Sequence, residues 1–158
     1  PGRSPSRATG MTRQVQRQIP PPPMADSKPP HFDATPLSVL AESWRPVEAG
    51  ACDACRPLVC PGWESWPATA DPQALQRIGT LRDASIDDPT LDEHHPAGTH
   101  AWDATAPIAP AFHPYNRCDV WQCRHCARPF LRYTEYGGYY QDERVRELTA
   151  ALIVDARP

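Results

Sequence analysis

The chain has 158 residues, which is room for one domain. Its 21 prolines and mean hydropathy of −0.60 exclude a large apolar core, and no run of about 18 apolar residues is present to span a membrane. A net charge of −3, concentrated in a middle stretch (33–116) with four basic and twelve acidic residues, lacks the strong basic balance of a nucleic-acid binder.

Residues 1–30 contain Pro20-Pro21-Pro22-Pro23, Pro29-Pro30 and scattered Arg and Ser, and are expected to form a disordered tail. Met11 and Met24 both offer start positions, under which the residues ahead of them are not native. Four arginines near the N-terminus lack the apolar stretch of a signal peptide. Lys28 is the single lysine among 16 basic residues, and with the many Ala and Pro this bias points to a GC-rich, bacterial genome. The default location is then the reducing cytoplasm, where paired cysteines read as metal ligands before disulfides.

A first helix is expected over 34–44, with Thr35 as N-cap, Pro36 at the first helical position and Leu37, Leu40 and Trp44 at helical spacing. Asp71-Pro72 opens a second, with Leu75, Ile78 and Leu81 on one face. From Asp83 to Asn116 no period is visible, and this long loop is expected to pack irregularly around the metal core through Trp102 and Phe112. Asp119-Val120-Trp121-Gln122 reads as a short strand. Phe130 to Tyr136, Gly137-Gly138 and Tyr139-Tyr140 read as a hairpin whose two glycines take positive φ. Asp142 then caps a C-terminal helix carrying Val145, Leu148 and Leu152 on one stripe and ending near Val154.

The six cysteines carry the chemistry. A Cys-x-x-Cys turn brings two thiolates to one side of a tight bend, and two such turns facing each other make a tetrahedral four-sulfur site. Cys52/Cys55 and Cys123/Cys126 are two such pairs, separated by a long stretch of chain. Cys60 and Cys118 flank them with mirrored spacing, which leaves several readings open. One zinc sits on the two pairs with two free thiols, or Cys60 or Cys118 joins the site, or two metals share six thiolates. Disulfides are another reading, with about 15 possible connectivities for six cysteines, and an iron centre a further one.

The paired knuckles and the hairpin after the second resemble the zinc-ribbon and rubredoxin-like proteins, over about a third of the chain. Those families place Gly after a knuckle, where this chain has Arg56 and Ala127. The resemblance implies a metal scaffold with Cys52, Cys55, Cys123 and Cys126 as ligands, and does not carry a function.

His94, His95 and His100, with Asp92, Glu93 and Asp103, are candidates for a second metal site, weighed against ordinary loop residues. His125 inside the knuckle reads as solvent-facing. Arg117, Arg124, Arg128 and Arg132 read as a basic face offsetting the thiolate charge, with nucleic-acid contact the alternative. Tyr133, Tyr136, Tyr139 and Tyr140 are assigned to the core, with a partner surface the alternative. Trp63 and Trp66 are expected to shield the first knuckle.

Residues 31–158 are thus expected to form one zinc-stabilised domain of α+β class. It is small and loop-rich, with a zinc-ribbon-like knuckle, a β-hairpin and a C-terminal helix, and 117–154 is its best-defined part. The expected role is non-enzymatic: a structural zinc (alternatively iron) within a protein-interaction or regulatory module that binds a protein partner. The alternatives are a redox or electron-transfer protein and a nucleic-acid-binding zinc ribbon.

Overall fold

The computed structural model describes residues 28–45 and 52–158. Residues 1–27 of the expected tail lie outside the described residues. Among the described residues the architecture is α+β: one helix, α1 (Ala34–Ser43), and a five-stranded antiparallel sheet. The strands are β1 (Glu64–Ser65), β2 (Leu75–Thr80), β3 (Asp119–Cys123), β4 (Pro129–Tyr136) and β5 (Gln141–Glu147), in the spatial order β1-β5-β4-β3-β2.

The helix forms where its pattern predicts, but Asp33 caps it, its carboxylate accepting from the Thr35 N–H at 3.0 Å. Leu37 and Ala41 face the core. The second expected helix is a strand. Asp71 and Pro72 start only a short 3-10 turn, Pro72–Ala74, before β2 begins. The spacing of Leu75, Ile78 and Leu81 comes from a β-bulge: the register slips between Arg77 and Gly79, so Leu75 lies among the residues on one side of the sheet and Leu81 on the other.

The expected C-terminal helix is also a strand. Its first half is β5, paired residue for residue with β4 from Phe130↔Glu147 to Tyr136↔Gln141. Its second half is a 3-10 turn, Ala150–Leu152. Charge hid the strand, because Asp142, Glu143, Arg144, Arg146 and Glu147 offer no apolar alternation. Cross-strand pairs hold it instead: Thr134 donates to Glu143 at 2.6 Å and Arg144 to Glu135 at 2.7 Å. The hairpin connection is four residues, Gly137 to Tyr140, closed by the Gly137 N–H to the Tyr140 carbonyl at 2.9 Å. The positive φ expected at Gly137 and Gly138 is not adopted; among the described glycines it belongs to Gly98. A Cβ at Gly137 would lie 2.3 Å from the exposed Tyr140 ring, which would have to swing aside.

The pleat separates two cores. Val120, Leu131 and Tyr133 point to one face, where Leu37, Trp63, Ile108, Tyr115, Cys118 and Leu148 cover them. Phe130, Val145, Leu75 and Cys123 point to the other, covered by Cys55, Leu58 and Cys60. The long loop packs on the first face, away from the cysteine pairs. Ile108 bridges to Ile153, and the buried Arg146 guanidinium reaches Tyr115 Oη and the Ala106 carbonyl. Phe112 is buried, whereas Trp102 is half exposed under the Arg144 guanidinium, 4.6 Å from its ring.

Gly79 lies where the lead into α1 pairs along the edge of β2, and a Cβ there would lie 2.3 Å from the Phe32 ring and 2.7 Å from the Pro30 carbonyl oxygen. Gly79→Ala is expected to cost about 1–3 kcal/mol by overpacking. Gly138→Ala, with no atom within 4 Å, should stay within about 0.5 kcal/mol of the parent. Urea denaturation of both variants checks the contrast.

Candidate metal centre

The second knuckle is the turn from β3 into β4. Cys123 ends β3, its N–H donates to the Arg128 carbonyl at 2.9 Å, and its own carbonyl accepts from Ala127 at 3.0 Å. Ala127 sits at φ 61, the left-handed backbone that Gly supplies in the ribbon families and that a Cβ disfavours. The first knuckle is a separate bend lying on the Phe130 face. The Arg56 N–H donates to Cys52 O at 2.9 Å and the Leu58 N–H to Cys55 O at 3.0 Å. Leu58 is wholly buried under it. Cys60 then pairs its backbone with β5: the Glu147 N–H donates to Cys60 O at 2.8 Å, and the Cys60 N–H to Glu147 Oε1 at 3.0 Å.

The two bends bring four sulfurs within 4.8 Å of one another. Cys52 Sγ is 3.8 Å from Cys123 Sγ, and Cys55 Sγ is 3.5 Å from Cys126 Sγ. A zinc tetrahedron with bonds of about 2.3 Å has sulfur–sulfur edges of about 3.8 Å, and a disulfide is about 2.05 Å. The spacing fits a shared ion, and all six cysteines are free thiols. Of the sequence candidates, Cys52, Cys55, Cys123 and Cys126 converge. Cys60 and Cys118 do not join them, lying in the two separate cores on opposite sides of the sheet. Burial, with Glu147 adding to it, pushes the Cys60 thiol up to about 12, and full burial raises Cys118 well above its usual value.

Three of the four thiols depart from the usual cysteine range. The Cys55 backbone N–H draws Cys52 down to about 7, against some burial, while burial and the adjacent thiols push Cys55 far up. Cys126 is raised by burial as well. Four thiolates this close repel one another unless a positive ion lies among them.

Around the sulfurs the chain supplies a buttress that the sequence does not advertise. The Arg128 guanidinium lies 5.5 Å from the Trp44 ring and 5.2 Å from the Phe130 ring, and pairs with Glu147 Oε1 at 2.6 Å. Burial works against its charge, but Glu147 and the neighbouring Cys55 hold it protonated. Trp44, just after α1, donates its indole N–H to the Cys126 carbonyl at 3.2 Å. Helix, knuckles and β5 thus meet at one point. No local pattern pairs Trp44 with Cys126, 82 residues away, so only a structure reveals it.

The remaining candidates separate. Arg132 is stacked between Trp66 and Trp121, 4.2 and 4.4 Å from their rings, and Arg124 bonds Gln73 O and Gln76 Oε1. Arg117 reaches Pro89 O. His125 is exposed and outside the sulfur group. His95 bonds Glu93 and Thr99, whereas His94 stacks on Phe112. Among the described residues the four cysteines are the one group placed to hold a metal. Trp66 packs near the first knuckle as expected, but Trp63 lies in the opposite core. Of the tyrosines assigned to the core, Tyr133 is buried while Tyr136, Tyr139 and Tyr140 are exposed. No family model, curated protein or solved structure matches the chain. No helix among the described residues is long and apolar enough to cross a membrane.

Ala127→Gly removes a misplaced Cβ from the second knuckle. It is expected to raise stability by about 1 kcal/mol at unchanged metal content, read as a higher denaturation midpoint.

Proposed function

We propose that this chain is a non-enzymatic zinc-binding module whose single structural zinc is held by Cys52, Cys55, Cys123 and Cys126. The observation that carries the reading is the convergence of four sulfurs from two knuckles, all within 4.8 Å. Zinc favours a closed tetrahedral thiolate set in structural sites. With all four positions filled by the chain, such an ion has none left for substrate, so its role is to fasten the first knuckle to the sheet. Arg128 beside Cys55 offsets part of the negative charge that four thiolates leave on a divalent ion. The surface is then free for a protein partner. A nucleic-acid role draws less support, because Arg117, Arg124, Arg128 and Arg132 are all engaged in contacts within the chain.

Elemental analysis of the reduced protein tests this, with one zinc per chain expected. Cys123→Ser should abolish stoichiometric zinc and cost most of the folding stability, because binding free energy at such sites is folding free energy. Cys118→Ser and Cys60→Ser should keep one zinc, at about 1–3 kcal/mol each for the buried hydroxyl. Equal metal loss in all three variants would show that the ligand set is wrong, and a red-brown, iron-containing protein would overturn zinc.

A further inference from the structure

A cavity of about 690 Å³ opens at the Asp119 end of β3, whereas the sulfurs lie at the Cys123 end. Clefts that hold small molecules run to roughly 300–1,000 Å³. Phe32, Leu81, Ile86 and Pro110 supply its apolar walls. Its carboxylates and guanidiniums balance, with Asp33, Asp83 and Asp87 against Arg82, Arg117 and Arg157.

Two of the polar groups lining this cavity are incompletely satisfied. Both come from the 3-10 turn Tyr115–Arg117. Asn116 is only 7% exposed, and its Nδ2 donates to the Thr90 carbonyl at 2.8 Å and the Ala111 carbonyl at 3.4 Å. Those two bonds fix which way the amide faces. They leave Oδ1 buried and, among the described residues, without a partner. The next residue, Arg117, donates from Nη2 to the Pro89 carbonyl at 3.2 Å, while its Nε is buried and likewise without a partner. Buried polar atoms are nearly always hydrogen-bonded. An open acceptor and an open donor on consecutive residues of one cavity wall therefore point to a ligand that supplies the complement.

The other charged groups differ in what they still offer. Asp33 uses Oδ1 to cap Thr35, and Asp83 uses Oδ1 for both of its bonds to Ser85, so the second oxygen of each is open among the described residues. Arg82 is committed through Nε to the Arg117 carbonyl at 2.8 Å, and Arg157 to Asp155 at 3.2 Å.

We propose that this cavity binds a small zwitterion with an apolar side chain, the chemistry of a free aromatic or branched amino acid. An ammonium group carries three donors, which match the Asn116 Oδ1 and the open carboxylate oxygens. A carboxylate accepts from Arg117, and the side chain lies against the apolar walls. Net charge decides the class. A plain cation would meet three guanidiniums and a plain anion three carboxylates, whereas a zwitterion finds an opposite partner for each of its ends.

Isothermal titration calorimetry on the full chain tests this with L-phenylalanine and L-leucine as probes. At least one should bind one-to-one with a Kd below about 1 mM. Glycine lacks the apolar body, L-phenylalaninamide the carboxylate and N-acetyl-L-phenylalanine the ammonium, and each should bind at least about tenfold more weakly. Ile86→Arg and Asp87→Asn change exposed positions on the cavity wall, so the denaturation midpoint should hold while affinity falls by about tenfold. Absence of saturable heat for both amino acids up to about 10 mM would overturn the proposal. So would a blocked derivative that binds as tightly as the free amino acid, or binding indifferent to Ile86→Arg.

Discussion

Cys52 and Cys55 belong to a segment with no strand of its own, and they meet Cys123 and Cys126 across 71 residues of chain. That segment supplies much of the cover on the Phe130 face of the sheet. Leu58 and Cys60, just after the first knuckle, cover Phe130 and Val145, and Cys60 is tied to β5 by its backbone bonds with Glu147. The proposed zinc is of a scale to hold this cover in place. A structural zinc contributes about 10–16 kcal/mol of apparent binding free energy in small peptides, and whole domains are stable by about 5–15 kcal/mol.

Arg128 joins this clasp to the rest of the molecule. Its guanidinium touches the aromatic ring at the end of α1, the Phe130 core ring, the Glu147 carboxylate and the neighbourhood of Cys55. Planar, permanently charged and able to stack, arginine can satisfy all four at once where lysine cannot. On the same face Arg132 stacks between two tryptophans. In a chain short of aliphatic side chains, stacked guanidiniums and indoles do part of the covering that leucines do elsewhere.

The site was legible in the sequence because Cys-x-x-Cys imposes its geometry locally, wherever the two bends come from. The α+β class, α1, β3 and the start of the hairpin were legible for similar reasons: capping chemistry, β-branched and aromatic runs, and glycines at a turn. Two segments misled. Around Ile78 a bulge produced a three-residue spacing that imitates a helix. In β5 charged residues filled both faces, because Arg146 is buried against Tyr115 while Glu143 and Arg144 pair across strands. Composition alone assigns the exposed tyrosines to the core. A small core needs aromatics, but Trp63, Tyr115 and Tyr133 already stack together there, which leaves the hairpin tip free.

The clasp is the centre of this account, and X-ray absorption at the metal edge of the native protein reads it most directly. The spectrum should show zinc with four sulfur neighbours at about 2.3 Å and no metal–metal scatter. A shell containing nitrogen or oxygen, or a second metal sharing the thiolates, would contradict it.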